Sequence, residues 1–349
     1  MLQSMNKKTE TMEQLDTILI AAYEKKASDV HLVVGSAPVF RVDGKLIPQK
    51  QASLVPQDTE QFAKTCLSQD SWEVLEQKRE IDFSYDIAGI ARFRVNVFYQ
   101  RNALSLAFRI ISKEIPSVES LGIPAIAKKL VQQPHGLFLV TGPTGSGKST
   151  SLAALIDYVN ETMNRHIITL EDPIEYLHVH KQSLIEQREV GFDTLSFKDG
   201  LRASLRQDPD VILVGEMRDM DTISTAITAS ETGHLVLGTL HTSDAAGSIE
   251  RMIDVFPVGQ RDQIRLMLAN VLLGILSQRL LPTKKADGRV AATEMLINNA
   301  AIKNLIRAEK MHQIPNVLQT SLDQGMHTMD MSIKRLVEEE TISRSHLLL

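Results

Sequence analysis

The sequence predicts an α/β protein in which a larger domain, built on a parallel sheet around a glycine-rich turn, follows a smaller α+β domain. Three observations lead to this fold class. The turn, GPTGSGKST, lies between an apolar run and a helical segment. Strands and helices alternate after it, whereas segments of alternating apolar and polar residues precede it. The 349 residues are enough for two domains, which we place at residues 1–112 and 113–349.

The first domain opens with an amphipathic helix over residues 11–26. A short strand over 30–34, a hairpin turn at Asp43-Gly44 and two short helices within 56–79 follow. The next segments, ARFRVNVF and ALSLAFRI, alternate apolar and polar residues, which predicts strands with one buried face. We therefore expect an antiparallel α+β domain.

The polar face of these two strands carries arginines. Arg92 and Arg94 lie on it in the first strand, and Arg109 lies on it in the second. A solvated surface explains each arginine taken singly, but their recurrence on one face gives equal weight to a role in contacting phosphate. That contact would require the first domain to close on a site in the second. The sequence does not rank three alternative cations in the second domain, which are Arg206, Arg218 and Arg279.

The glycine-rich turn has the full GxxxxGKS pattern in its required setting, after a predicted strand over 137–140 and before a helix. Glycines allow backbone N–H groups to converge on a phosphate, and the helix N-terminus adds about half a positive charge. Glycine-rich turns also occur without ligands, but the complete motif in this context predicts that the chain binds ATP. The predicted nucleotide-binding residues are Gly142, Pro143, Thr144, Gly145, Ser146, Gly147, Lys148, Ser149 and Thr150.

Two residues of this motif have specific chemical roles in the prediction. Lys148 would bridge the β- and γ-phosphates. The Ser149 hydroxyl would take one coordination position on Mg²⁺. ATP and Mg²⁺ are therefore the expected cofactors.

Beyond the motif, strands and helices alternate. We predict strands over 167–170, 211–214 and 235–240, separated by helices over 196–207 and 222–231, which implies a parallel sheet covered on both faces. Ser196 and Asp199 have the spacing of a capping box, which supports the start of the first of these helices. A long helix over 261–281, a strand over 289–297 and a helical tail complete the prediction.

Two carboxylates end predicted strands on the side where ligands bind in such sheets. Glu216 follows the strand VILV, and we assign it as the base that activates water. The residue before it is Gly215, so the metal-holding aspartate usual at this point is missing. Glu171, which ends the strand after the motif, is assigned to Mg²⁺ or its water shell. A turn or helix-capping acid is the alternative for Glu171.

Two histidines flank the strand LVLGTL. His234 and His241 are seven residues apart, and an odd separation sends side chains of a regular strand to opposite faces, so they do not share one metal. His241, at the carboxyl end, is placed to sense a γ-phosphate or to contact a neighbouring subunit. For His234, a structural hydrogen bond and a role in the site are equally weighted hypotheses.

Composition narrows the classes of protein to consider. The formal net charge is −5, which does not favour a nucleic-acid binder. The single cysteine excludes an internal disulfide and a CxxC zinc site. The N-terminus lacks the apolar core of a signal peptide, and the longest apolar run is too short to span a bilayer. We therefore expect a cytoplasmic protein without direct membrane insertion.

Four sequence blocks resemble the secretion ATPases of type II secretion and type IV pilus machines: GPTGSGKST, ITLEDPIEY, RQDPDVILVGEMRD and TGHLVLGTLHT. Together with ASDVHL and RFRVN in the first domain, they cover nearly the whole chain. Within that family the chain looks most like the pilus retraction motors, because AIKNLIRAEK resembles a motif of that branch. Extension and type II secretion relatives usually carry a four-cysteine metal block, which one cysteine cannot supply.

The resemblance implies a RecA-like P-loop domain with a PAS-like N-terminal domain. It also implies a hexameric ring, nucleotide bound between the two domains, and docking to an inner-membrane platform protein at the inner face of the cytoplasmic membrane. By the same resemblance, Glu216 is the catalytic base, and Glu171, His234 and His241 are supporting site residues. A paralogous retraction ATPase is a further possible partner.

Three functional hypotheses follow. The leading one is a Mg²⁺-dependent ATPase ring that drives pilus retraction and twitching motility. The second is an accessory ring subunit that binds ATP and a partner but supplies little power, with pilus assembly or type II secretion as related roles. The third is a nucleic-acid translocase, which the negative net charge disfavours.

Overall fold

In the computed structural model the chain divides into two units, Met1–Lys113 and Glu114–Leu349. The structure describes residues 2–42, 44–111, 114–285 and 288–348. Residues 112 and 113, on either side of the predicted boundary, lie outside these ranges, as does Asp43 of the predicted hairpin turn.

The first unit packs helices against one antiparallel sheet. Its helices are α1 (Leu2–Glu24), α2 (Pro56–Cys66) and α3 (Gln69–Lys78). Its strands are β1 (Asp29–Leu32), β2 (Val39–Val42), β3 (Lys45–Pro48), β4 (Glu80–Ile87), β5 (Ala91–Gln100) and β6 (Ala103–Ile111). The strand order is β3-β2-β1-β6-β5-β4, and every pair is antiparallel. This confirms the predicted α+β class for the first domain.

The alternation in β5 and β6 builds the core of this unit. Phe93, Val95 and Val97 are fully buried, and Phe93 meets Phe108 edge to face, with ring centroids 6.3 Å apart. The prediction missed β4, which pairs with β5 at the edge of the sheet. Its sequence EIDFSYDI alternates polar and apolar residues, so the signal of a half-buried strand was present, although only Phe83 is buried in this edge strand.

The second unit has a mixed sheet with helices on both faces. Its helices are α4 (Ile126–Leu130), α5 (Lys148–Thr162), α6 (Phe197–Ser204), α7 (Met220–Glu231), α8 (Ala245–Asp254), α9 (Val258–Val271), α10 (Ala300–Arg307), α11 (Ile314–Thr320) and α12 (Met329–Glu338). Its strands are β7 (Gly136–Thr141), β8 (His166–Glu171), β9 (Leu184–Glu189), β10 (Val211–Val214), β11 (Leu235–Leu240), β12 (Leu272–Pro282) and β13 (Arg289–Ile297).

The sheet order is β13-β12-β7-β11-β10-β8-β9, with only the β12–β13 pair antiparallel among the described strands. Residues of α4 and α5 form the core on one face, and residues of α6 to α11 contribute to the core on the other. The central strands β7, β10 and β11 are buried along their whole length, as expected for parallel strands covered on both faces.

The predicted long helix over 261–281 is wrong in its second half. Helix α9 ends at Val271, and β12 begins at Leu272 and pairs in parallel with β7. A continuous apolar run does not distinguish a buried helix from a buried strand. The register shifts between Leu272 and Gly274, where a Cβ atom on Gly274 would lie 2.7 Å from the carbonyl oxygen of Leu296. Pairing with β7 and β13, and not the local sequence pattern, therefore makes this segment a strand.

A hydrocarbon bilayer core requires about 20 consecutive, mostly apolar residues in a helix. The longest described helix, α1, has 23 residues, but its sequence LQSMNKKTETMEQLDTILIAAYE is rich in charge. Across the described ranges, no helix combines the length and the apolar character needed to cross a membrane.

Candidate nucleotide site

The glycine-rich turn connects β7 directly to the N-terminus of α5. The backbone φ angles at Gly142 and Gly147 are +148° and +87°, which side chains of L-residues rarely allow. A Cβ atom on Gly142 would also lie 2.3 Å from the backbone oxygen of Gln278 on β12. Glycine is thus required at both positions, and the turn leads into a helix N-terminus as the motif demands.

Lys148 is the first residue of α5, and its side chain folds back over the turn. Its Nζ donates to the carbonyl oxygens of Gly142, at 2.9 Å, and Pro143, at 3.1 Å. Burial lowers the pKa of Lys148, while the carboxylates of Glu216 and Glu175 act in the opposite direction. The side chain is thereby held over the turn, where an incoming phosphate would exchange for these carbonyl contacts.

Glu216 and His241 meet at the ends of neighbouring strands. Because β10 and β11 are parallel, the residues that follow them lie at the same edge of the sheet. His241 Nε2 lies 2.6 Å from Glu216 Oε1, and His241 Nδ1 lies 3.5 Å from Lys148 Nζ. We assign the imidazole proton to Nε2, since Nε2 then faces the carboxylate and Nδ1 can accept from Lys148. Arg218 also donates to Glu216 through Nε.

Gly215 occupies the position where the sequence lacks the usual aspartate. A Cβ atom there would lie 3.0 Å from the carbonyl oxygen of Leu170 and 3.3 Å from the Cα atom of Glu171. The Gly215 N–H donates to that same Leu170 oxygen, at 2.8 Å. A side chain at position 215 would therefore require the backbone of β8 to shift, and any acid beside Ser149 comes from another position.

The structure brings Glu175, a residue that the sequence did not single out, to Ser149. The Ser149 hydroxyl donates to Glu175 Oε1 at 2.9 Å. The next residues along both segments also touch, since Thr150 Oγ1 and the Tyr176 hydroxyl are 3.0 Å apart. Glu175 belongs to the acidic block ITLEDPIEY, so a search of every carboxylate in that block against Ser149 would have found it.

Glu171 was assigned to the metal, but its carboxylate points toward its own sheet. It accepts hydrogen bonds from Thr169, at 2.7 Å, and Gln187, at 3.1 Å, and a third from the backbone of Glu175. Burial raises the pKa of Glu171, and these hydrogen bonds act against that rise. In this arrangement Glu171 supports the segment that carries Glu175 and does not itself contact Ser149.

His234 lies at the amino end of β11, whereas the glycine-rich turn follows the carboxyl end of the neighbouring strand β7. Its Nδ1 is 3.1 Å from the carbonyl oxygen of Ala229 near the end of α7. Strand β11 separates His234 from His241, which at about 3.3 Å per residue is a distance of roughly 20 Å. The structure therefore brings His241, but not His234, to Lys148 and Glu216 within the second unit.

The predicted arginines of the first unit share one face of its sheet. Arg94 and Arg109 are directly opposite each other on β5 and β6. Arg109 Nε donates to Asp29 at 3.0 Å, Arg94 lies 3.8 Å from Asp82, and Arg92 lies 3.2 Å from Asp86. Arg109 keeps 70% of its side chain exposed despite its ion pair. The Arg94–Asp82 pair is exposed on both sides and contributes little to stability, whereas Arg92 and Asp29 are mostly shielded from solvent in their pairs.

The donor set around Ser149 fits Mg²⁺. A hydroxyl and a nearby carboxylate are oxygen ligands, and Mg²⁺ in phosphate sites takes one or two protein oxygens with phosphate and water completing its shell. Within the described part of the chain, no group of three or more histidine, cysteine or acidic side chains forms a dedicated metal cage. Ser149 and Glu175 would hold the ion together with the phosphates.

The chain is similar to known secretion and pilus proteins. A family model described as type II/IV secretion system protein matches residues 5–344. The twitching motility protein of Neisseria gonorrhoeae is 47% identical over 306 residues, which cover 88% of this chain and 82% of that protein. The type IV pilus retraction ATPase PilT of Pseudomonas aeruginosa is 46% identical over 337 residues, which cover 95% of this chain and 97% of that protein.

A solved structure shares the architecture. The crystal structure of the pilus retraction motor PilT with bound ADP is 48% identical, with a TM-score of 0.88, and the match covers 95% of this chain and 94% of that one. This likeness confirms the predicted fold class, a RecA-like P-loop domain preceded by a smaller α+β domain.

Proposed function

The chain belongs to the type II/IV secretion system protein family and is an ATP-hydrolysing enzyme of it, and we propose that it is the motor that retracts type IV pili. The observation that carries the proposal is the row of contacts from Lys148 through His241 to Glu216 at the glycine-rich turn. These contacts support the proposal because cleavage of a phosphoanhydride requires a cation for the developing charge and a carboxylate to activate water.

Nucleotide binding would use residues 142–150. The backbone N–H groups of the turn and the N-terminus of α5 would receive the phosphates. Lys148 would leave the carbonyl oxygens of Gly142 and Pro143, to which it now donates at 2.9 and 3.1 Å, and pair with phosphate oxygens. Bound Mg²⁺ would neutralise charge on the phosphates from its place beside Ser149 and Glu175, with Glu171 supporting that segment.

Hydrolysis would require a base beside the terminal phosphate. In our proposal the Glu216 carboxylate accepts a proton from water as the water attacks. His241 Nε2, 2.6 Å from Glu216 Oε1, would hold the carboxylate in place. Because Nδ1 of the same ring faces Lys148, movement of Lys148 to phosphate would change the position of His241 and so that of Glu216. His234 precedes β11, at the end of the sheet away from the glycine-rich turn. A role for His234 in a nucleotide site would therefore have to be in the site of a neighbouring copy of the chain.

Force would come from closure between units in a ring. We propose that Arg92, Arg94 and Arg109 add positive charge to the phosphates when a first unit closes on the nucleotide, so that hydrolysis releases the closure. A hexamer working at the inner face of the cytoplasmic membrane, docked on a platform protein, is the assembly that the resemblance implies. A paralogous retraction ATPase would be a partner of that ring.

One experiment on twitching and ATPase activity tests the proposal. Glu216→Gln should lose both hydrolysis and retraction, and Arg94→Ala should lose much of both while nucleotide still binds. Arg307→Ala should keep most hydrolysis but lose retraction, because Arg307 lies on α10, within the segment that resembles the retraction motif. Its guanidinium donates to Asn270 Oδ1 on α9 at 2.7 Å.

The same strains separate the other functions. Normal retraction in the Glu216→Gln strain would contradict the proposal that this chain is the motor. The remaining hypothesis would be an accessory ring subunit, and in that case Lys148→Ala should also be tolerated. ATPase activity stimulated by DNA would point to a translocase. Normal retraction in Arg307→Ala would remove the link between α10 and movement.

A further inference from the structure

Gln278 is buried beneath the glycine-rich turn. It lies on β12, beside Ser277, which pairs with Thr141 at the end of β7. Only 2% of Gln278 is exposed, and its Nε2 donates to the carbonyl oxygen of Ser146 at 2.6 Å. Its Oε1 is also buried and has no hydrogen-bond partner among the described residues. A buried amide that is only half satisfied is costly, so its place under this turn calls for an explanation.

The explanation lies in the geometry of the peptide bond. A trans peptide is planar, and its carbonyl oxygen and N–H point in opposite directions. Because Gln278 holds the Ser146 oxygen toward β12, the N–H of Gly147 in the same peptide must point away from β12. We infer that Gln278 is a positioning residue, which aims the Gly147 N–H at a phosphate of the bound nucleotide. The inference rests on nucleotide binding at this turn, as in the proposed function.

Two further features hold the amide in this orientation. Rotating it by half a turn would set Oε1 against the Ser146 oxygen, with two acceptors facing each other and no proton between them. A Cβ atom on Gly147 would lie 3.2 Å from Gln278 Nε2, closer than such contacts normally allow. Gln278 therefore packs against the very residue whose N–H it orients, and a larger residue at 147 would displace it.

The expected effect is on nucleotide affinity. An N–H aimed at a phosphate contributes to the bound ground state and to the transition state alike, so its loss raises Kd and KM more than it lowers kcat. Gln278→Met keeps the length and burial of the side chain but has no donor. We expect the Kd for ADP and the KM for ATP to rise roughly tenfold, with kcat reduced less than about threefold.

The test measures ADP binding and steady-state hydrolysis on the full chain. Gln260→Met is the matched control, because Gln260 is an exposed glutamine on α9 of the same unit. The control should bind ADP as the wild type does. A folded Gln278→Met protein with a Kd within about twofold of wild type would overturn the inference, since a merely structural glutamine would change the melting temperature and not affinity.

A second variant, Gln278→Glu, tests the inference if Gln278→Met does not fold. Gln278→Glu keeps the shape but sets a carboxylate oxygen against the Ser146 oxygen, so we expect a larger rise in Kd than in Gln278→Met. An unchanged Kd in this variant, or failure of both variants to fold, would make Gln278 a determinant of stability alone and overturn the inference. A wild-type protein that bound no ADP would instead defeat the proposed function.

Discussion

His178 is a buried neutral base in the segment that joins β8 to β9. Its side chain is 4% exposed, and its Nδ1 lies 3.9 Å from Asp157 Oδ1, beyond hydrogen-bond distance. Burial lowers the pKa of His178 from 6.5 to about 4, with Lys181 adding to the effect and Asp157 opposing it. The unfolded chain would bind a proton near pH 6.5, so stability falls as the pH drops from 6.5 toward 4.

Removing this histidine should therefore make the protein less sensitive to acid. Between pH 7 and pH 5, His178→Gln should lose about 2 kcal/mol less unfolding free energy than wild type. Urea unfolding at the two pH values measures the difference. His135→Gln, a change at an exposed histidine before β7, should leave the pH dependence as in wild type. A His178→Gln protein with the wild-type pH dependence would show that burial does not lower the pKa of His178 in the folded state.

At the residue scale, the sequence predicted which side chains lie at the glycine-rich turn better than it predicted their contacts. Lys148, Glu216 and His241 lie together there, and short-range spacing along the motif and the strand ends fixes their positions. Glu175 was missed, since its contact with Ser149 depends on how the segment after β8 folds back over α5. The absence of an aspartate at Gly215 also has a reason only in the structure, because a Cβ atom there would lie 3.0 Å from the Leu170 oxygen of β8.

Strand β12 contacts both neighbouring strands and the glycine-rich turn. It pairs with β7 on one side and β13 on the other, and its Gln278 lies under the glycine-rich turn. At Gly274 a Cβ atom would lie 2.7 Å from the Leu296 oxygen and 2.8 Å from Cδ1 of Leu130. The backbone oxygen cannot move without breaking the strand pair, so β12 tolerates only glycine there.

Gly274→Ala should therefore destabilise the second unit by about 1–3 kcal/mol. Gly259→Ala is the control, since a Cβ atom on Gly259 in α9 meets nothing within 4 Å, and alanine there should stabilise the helix by up to about 1 kcal/mol. Denaturant unfolding of both variants measures the two effects. Equal stability of Gly274→Ala and wild type would mean that β12 can shift away from β13.

At the element scale, alternation of apolar and polar residues predicted a strand with one exposed face, as in β5. The fully buried strands β10 and β11 also appear where the sequence predicted them, and Ser196 caps α6 by accepting from the backbone of Asp199. The sequence predicted a helix for β12 because a continuous apolar run does not show the alternation of a half-buried strand. The segment is a strand because it pairs in parallel with β7. Strand β9 was missed because it lies at the sheet edge with little buried surface.

At the scale of the whole molecule, composition and motif order predicted two units and their classes. The Lys148, His241 and Glu216 side chains come together within the second unit. The arginine face, with Arg94 opposite Arg109, belongs to the first unit. The proposed motor connects the two by closure, so that phosphate chemistry in one unit changes the position of another.

The central claim is that the chain cleaves ATP at the glycine-rich turn with Glu216 as base. The direct measurement is phosphate release by the purified protein with ATP and Mg²⁺, alongside ADP binding, in wild type and Glu216→Gln. We predict that the wild type releases phosphate, and that Glu216→Gln binds ADP as wild type does but turns over at least about 100-fold more slowly. Turnover by Glu216→Gln at the wild-type rate would contradict the account.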